Sequence, residues 1–447
     1  MPDCLAKAGL QARVSNPSEA DYEDCVNTYW SRCAKLKPSC VVRPGSADEI
    51  STALKALVRA GQQFAIKCGG HTPWKGSNST GSRWNDVYQK LHEYGRIVVG
   101  GRSGEVGVSG VILGGGNTAY NNVLAFELVL ADGRIVTAGK DTNEDLFRVL
   151  KGGSSNFGVV TKFTMGTLPL GDVWGGISIS PKTSIPDAIQ LTGDFTKTLS
   201  THPDCNLITV LGYVPQIGDN VVSVGVVHTQ GVEDDAAFEN WRRLPKVMDN
   251  AKKRSIMDLS AEITLPSDYY TIWFTVNFKN DKRIMAKASE IHDRLVENLK
   301  ARVTDGDFAT QCIFMPLPTL FAQSSVEAGG NVLGLERNTS DGILLQMAVQ
   351  VRTAELFDFA HPKVKAWCAD VKAFSETIEG GGIDWIYIHY ADPSQDVLAS
   401  YGPENVSRMR QAAAKYDPNQ IFQRLCPGGF KISNVKLSEF MILHSDR

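Results

Sequence analysis

Long apolar runs are missing from this chain. None of its segments approaches the roughly 20 apolar residues that a membrane-spanning helix needs, so no membrane partner is expected. An excess of charge is missing too: 46 Lys and Arg face 49 Asp and Glu, a net charge of −3 over 447 residues. That balance leaves no electrostatic footprint for nucleic acid or an anionic surface. The nine cysteines are too sparse for a disulfide scaffold, and no Cys-x-x-Cys pair exists, so no metal is expected. Cys4, Cys25, Cys33 and Cys40 gather near the start; they read as buried thiols, or as one or two disulfides if the protein is secreted. The first residues, MPDCLAKAGLQARVS, hold no apolar signal core. The expected location is cytoplasmic as written, and secreted if the N-terminus is incomplete. Two nucleotide-binding signatures are also absent. No G-x-G-x-x-G opens a first βαβ unit, and no glycine loop ends in Gly-Lys-Ser/Thr.

What remains is a chain with 43% hydrophobic residues, long enough for two or three domains with sizeable cores. "CVVRP" predicts a short strand. Ser46 followed by Glu49 makes a capping box, after which Ile50, Leu54, Leu57 and Val58 share a helical face and Gly61 stops the helix. "QFAIK" predicts a strand that runs into Cys68-Gly69-Gly70-His71. Residues 84–94 predict a helix with Val87, Leu91 and Tyr94 on one side, ended by Gly95. "LAFELVLADGRIVTA" reads as a hairpin turning at Asp132-Gly133, "NEDLFRVLKGG" as a short helix, and "NFGVVTKFTM" as a strand. After Pro169 strand-like runs such as "LITVLGYV" and "GILLQMAVQVRT" alternate with helical patterns at 236–252 and 283–301. The C-terminal stretch "YGPENVSRMRQAAAKYDPNQIFQ" reads as a helix stopped at Asp417-Pro418.

Glycine loops occur around 69–76, 107–116 and 152–158. Without a Cβ, such loops let backbone N–H groups approach an anion closely. The first contains the string Gly69-Gly70-His71-Thr72-Pro73-Trp74-x-Gly76-Ser77-Asn78. Here the sequence resembles the FAD-linked oxidases of the vanillyl-alcohol-oxidase (PCMH-type) family, and within them the fungal berberine-bridge-enzyme-like members. The resemblance continues collinearly through "VGGRSGEVGVSGVILGGG", "LFRVLKGGSSNFGVVTKF", "YADPSQD" and the C-terminal helix, over nearly the whole chain.

The resemblance implies an α+β fold in two domains. A PCMH-type FAD-binding domain, split in sequence, takes residues 1–168 and 400–447. An antiparallel-sheet substrate domain of residues 169–399 covers the flavin. It implies FAD, carried covalently by His71 through the flavin 8α carbon. Gly69, Gly70, Thr72, Ser77, Asn78, Gly107, Gly110, Gly114, Gly115, Gly158, Val160 and Asn405 are the further cofactor-binding candidates. Ser103 stands where many members carry a second, cysteine tether; a serine hydroxyl is a poor nucleophile without an adjacent base, so at most one covalent link is expected. Tyr387 and, after it, Tyr390 are the catalytic candidates, in "IDWIYIHYADP". If that stretch is a strand, Trp385, Tyr387 and His389 share one face and Ile386, Ile388 and Tyr390 the other. His389 departs from the family's usual pattern. Two segments are shorter than in the family, after Asn78 and after Gly116, and both would line the cofactor. The implied activity is oxidation of a small organic molecule, plausibly a secondary metabolite, by hydride transfer to flavin N5 with O₂ as the reoxidant. The alternative is a non-catalytic, flavin-free member.

Overall fold

A computed structural model describes residues 3–67, 71–73, 82–116, 119–263 and 267–436. The expected α+β architecture is present. Its largest part is a nine-stranded sheet whose order runs Met248–Asp249, Val173–Pro181, Asp219–His228, Cys205–Val214, Phe308–Leu317, Gly342–Val351, Tyr270–Lys279, Gly382–Ile383, with Lys252–Arg254 also on Val173–Pro181. Its pairings are antiparallel. "GILLQMAVQV" has all ten residues buried, which is how a strand covered on both faces reads as an almost continuous apolar run.

Alternation assigns the two faces. Phe314 and Leu345 point to a core under the helices Ile185–Thr198, Lys282–Arg302 and Ala354–Glu376. Their neighbours Met315 and Leu344 point the other way. There they join a second core that draws Trp84, Phe126 and Leu146 from before the sheet and Met409 and Tyr416 from after it.

The segments around that second core are built by local rules. Helix Ala47–Arg59 starts at Ser46, whose hydroxyl accepts from the Glu49 N–H at 3.2 Å. The reciprocal bond closes one residue early: the Glu49 carboxylate takes the Gly45 N–H at 2.6 Å. The hairpin Val123–Val129 and Ile135–Gly139 turns through Gly133 at φ +83°, and Val159–Met165 completes a three-stranded sheet. Helix Pro403–Tyr416 stops where expected, before Pro418, and the Asp417 carboxylate accepts from the Ile421 and Phe422 N–H groups at the start of the next helix, both at 2.8 Å.

Four local expectations are corrected. Helix Trp84–His92 forms, but it buries Trp84 and Tyr88, and Tyr94 is 68% exposed beyond its end. The indole and phenol are the larger apolar surfaces, so they take the core side. "QFAIK" forms no regular strand; the Phe64 N–H instead donates to Leu425 C=O at 2.8 Å. Over 236–252 the helix is only Glu239–Arg243, because Pro245 cannot continue it, and two short strands follow at the sheet edge. "IDWIYIHYADP" is not a strand beyond Gly382–Ile383; Ile388–Tyr390 curl into a 3₁₀ turn, so the proposed alternation of faces does not apply.

Candidate functional site

The path to the site starts at Trp30. The Asp268 N–H donates to Trp30 C=O at 3.0 Å and the Arg32 N–H to Tyr269 C=O at 2.9 Å, which clip this segment to the start of strand Tyr270–Lys279. Trp30 thereby lies 5.3 Å from Trp273 of that strand. His71 stacks on Trp30 with ring centroids 4.5 Å apart and sits 6.3 Å from Trp273. Earlier in the chain, the Lys67 ammonium donates to Cys25 C=O at 2.5 Å and Thr28 Oγ1 at 2.6 Å. Burial, reinforced by the Arg83 charge, pushes the His71 imidazole down to about 4. A neutral ring keeps its lone pair available at physiological pH.

From Trp273 the aromatic chain continues. Tyr390 meets it edge-on at 6.0 Å, Tyr387 lies 4.9 Å from Tyr390, and His389 lies 4.9 Å from Tyr387. Arg102 donates from Nη2 to the Tyr390 hydroxyl at 2.9 Å and reaches Met315 Sδ at 3.3 Å. The 3₁₀ turn Ile388–Tyr390 makes this possible, since it lets Tyr387 and Tyr390 converge where a strand would send them to opposite faces. At the far end His389 presses on the second glycine loop. A Cβ at Gly114 would come within 2.4 Å of the imidazole. Burial pushes His389 down to about 4 against a bond to the Val111 carbonyl.

The structure therefore brings His71, Tyr387, Tyr390 and Gly114 into one continuous assembly. Gly110 adjoins it on helix Val108–Leu113, with open space where a side chain would stand, and Gly107 caps that helix. Gly115 has φ +73°, and Leu333 fills the space beside it; the Gly152 N–H donates to Leu113 C=O, joining the second and third glycine loops. Gly158 and Val160 lie elsewhere, at the three-stranded sheet, where Gly158 makes room for Leu128. Asn405 is buried inside helix Pro403–Tyr416 and donates to Tyr401 C=O at 3.1 Å. Thr72 is described, next to His71. Gly69, Gly70, Ser77 and Asn78 lie outside the described residues. Cys4, Cys25, Cys33 and Cys40 stand as thiols.

Sequence reasoning missed Trp30, Trp273 and Arg102. Arg102 alone carried a signal, as the neighbour of Ser103 in a motif already under scrutiny. A separate cleft of about 290 Å³, lined by Asp194, Lys197 and Arg283 among others, contains none of these residues.

The donor set suits a large planar heterocycle with polar edges. Among the described residues, Ser103 Oγ and His389 Nε2 are buried without a hydrogen-bond partner. Such atoms cost free energy unless a bound group satisfies them. Aromatic surfaces for stacking, an arginine cation and the open space at Gly110 accompany them. These features fit FAD.

No protein-family model matches the chain. It is 32% identical to the FAD-dependent monooxygenase drtC of Aspergillus calidoustus, over 477 aligned positions covering 97% of this chain and 90% of that protein. An alignment 30 positions longer than the chain (477 against 447) must open at least that many gap positions in it. Among solved structures, the fold superposes on xylooligosaccharide oxidase from Myceliophthora thermophila with a TM-score of 0.73 at 17% identity, covering 97% of this chain and 99% of that one. It superposes on glucooligosaccharide oxidase from Acremonium strictum with a TM-score of 0.72 at 15% identity, covering 94% and 97%. The latter is described as carrying a 6-S-cysteinyl, 8α-N1-histidyl FAD. Among the described residues, no helix is long and apolar enough to cross a membrane.

Proposed function

The chain belongs to the FAD-linked oxidoreductases, the PCMH-type oxidases that include the fungal FAD-dependent monooxygenases, and we propose that it oxidises a small organic metabolite at the aromatic assembly between His71 and His389. FAD, when bound, would supply the electron acceptor for the substrate, with O₂ as the reoxidant. The flavin domain is assigned to residues 1–168 with 400–447, and the substrate domain to 169–399. The core shared by Leu146, Leu344 and Met409 supports that docking.

The residues take distinct roles. His71 is the tether: its neutral nitrogen can form a bond to the flavin 8α carbon. Trp30 holds the ring by its face. Ser103 offers no second tether, in contrast to the doubly attached flavin of glucooligosaccharide oxidase. Tyr390, once its phenol proton has passed to solvent, would accept the substrate's hydroxyl proton. Arg102 holds the phenol oxygen at 2.9 Å and places a cation beside any anionic oxygen that develops there. Tyr387 packs behind both and shapes the pocket. His389 Nε2, buried and without a hydrogen-bond partner among the described residues, would meet a polar edge of cofactor or substrate.

The observation that carries this reading is the unbroken contact from His71 through Trp273 to Tyr390 and Arg102. Acid precipitation of the purified protein should leave flavin fluorescence in the pellet. His71→Ala should release all flavin into the supernatant or bind none, while Ser103→Ala changes nothing about attachment. Covalent flavin persisting in His71→Ala would assign the tether elsewhere. A protein that takes up no FAD would overturn the reading as a whole.

A further inference from the structure

On the helix-covered side of the large sheet, away from the aromatic assembly, three metal-ligating side chains converge from three segments. His202 follows helix Ile185–Thr198, Cys205 opens strand Cys205–Val214, and Asp235 caps the 3₁₀ turn Ala236–Phe238. Their ligating atoms all lie within 4.8 Å of one another. Cys205 belongs to the core under the helices, whereas Met315 and Tyr387 belong to the opposite one. We propose that His202, Cys205 and Asp235 bind one divalent cation of the zinc class, with water in the fourth position.

The donor chemistry selects the cation. One nitrogen, one sulfur and one carboxylate suit Zn²⁺ or Co²⁺, whereas Mg²⁺ and Ca²⁺ demand oxygen throughout. With metal–ligand bonds of about 2.0–2.3 Å, tetrahedral ligand atoms stand roughly 3.2–3.8 Å apart. The present separations therefore need only side-chain adjustment. His202 Nδ1 and Asp235 Oδ1, now bonded to each other at 2.7 Å, move apart to admit the ion.

The carboxylate is already held as a ligand would be. Asp235 Oδ1 accepts the Ala237 N–H at 2.8 Å, and His228 Nε2 stands 3.4 Å from Oδ2. His228 Nδ1 accepts the Gln230 N–H at 3.1 Å, so the ring proton resides on Nε2 and faces Asp235. His228 is thus a positioning residue, of the kind that orients metal ligands from outside the coordination sphere. It sits opposite Cys205 in the strand register, which keeps both on one line. The Cys205 N–H donates to His202 C=O at 3.1 Å and fixes the loop. The His202 side chain is 29% exposed and provides the entry path.

Binding balances simply. The cation replaces the thiol proton, which leaves to solvent, and the His202 ring binds neutral with its proton on Nε2. One thiol proton is thus released per ion bound.

Cobalt(II) titrated into chelator-treated holoprotein provides the test. The expected result is one ion per chain, a thiolate-to-cobalt band in the difference spectrum, and ligand-field bands at longer wavelengths than the flavin absorbs. Cys205→Ser should abolish the thiolate band. His202→Ala should weaken binding at least tenfold, and remove the rise in melting temperature that saturating Zn²⁺ gives the wild type, without altering oxidase activity. A wild-type protein with no cobalt–thiolate absorption, or a His202→Ala protein that binds cobalt as tightly as wild type, would show that the cluster is a hydrogen-bonded loop anchor and nothing more. His202→Ala decides the matter by itself if Cys205→Ser does not fold.

Discussion

At the scale of single residues, sequence separates histidines by the motif around them, while structure separates them by what surrounds the ring. His71 was legible because glycines and a proline frame it. His292 carried no such frame, yet it is the more deeply enclosed group: its Nε2 meets Thr310 Oγ1 at 2.7 Å, its ring stacks on Trp367 at 5.1 Å, and burial pushes it down to about 3. A histidine with a depressed folded pKa must be protonated on unfolding in acid. Its contribution is therefore full above about pH 6.5 and is lost as pH falls toward 3. At about 1.4 kcal/mol per unit, the group contributes on the order of a few kcal/mol to that acid sensitivity. Melting temperature should fall across this window, and His292→Gln should flatten the fall; an unchanged profile in His292→Gln would assign the sensitivity to other groups. Arg102 had only its place beside Ser103 to recommend it, and its role depends on a contact with Tyr390, 288 positions away. Tyr390→Phe should cut kcat by about 100-fold or more, the usual scale of general-base loss. Arg102→Met should lower turnover too, and acid-stable flavin should be unchanged in both, as steady-state kinetics and pellet fluorescence would report.

At the scale of elements, what was legible is what local chemistry decides. Ser46 and Glu49, Asp132-Gly133 and Asp417-Pro418 each carry their own turn or cap, and each boundary formed there. The failures share a cause, which is that tertiary packing outvoted periodicity. The pattern over 236–252 continues past Pro245 on paper, but a proline cannot donate to a helix and the sheet edge offers pairing instead. In 383–393 alternating aromatics suggested a strand, yet sheet pairing ends at Ile383, and the rest bends so that the Tyr390 ring meets Trp273 and its hydroxyl meets Arg102. The Asp417 cap gives a measurable test. Asp417 is 1% exposed and accepts two N–H groups, so Asp417→Ala leaves both donors buried and should cost about 2 kcal/mol in denaturant unfolding. Asp417→Asn keeps one acceptor oxygen and should lose less. Equal losses from the two variants would mean that space rather than hydrogen bonding sets the cap.

At the scale of the whole molecule, periodicity was silent. Nothing in the spacing of apolar residues says that residues 84–157 and 385–435 enclose one core together; collinear resemblance supplied that expectation. The physical reason is that a strand buried on both faces shows no amphipathic side, so "GILLQMAVQV" does not announce what covers it. In the structure one face of the sheet is closed by its own helices, while Met315, Leu317 and Leu344 on the other face share a core with Trp385 and Leu398 and with residues from outside 169–399 such as Trp84, Phe126 and Met409. Two units that share a buried apolar core should not melt independently. The full chain should therefore unfold in a single calorimetric transition. Leu344→Ala, at a site only 1% exposed, should cost about 2–5 kcal/mol and lower that one transition without splitting it. Residues 169–399 expressed alone would expose the face that carries Leu344, and they should self-associate, with apolar dye binding that the full chain lacks. Two separate melting transitions in the full chain, or a monomeric and cooperatively folding 169–399 fragment, would mean that the shared core is a docking contact between independent domains.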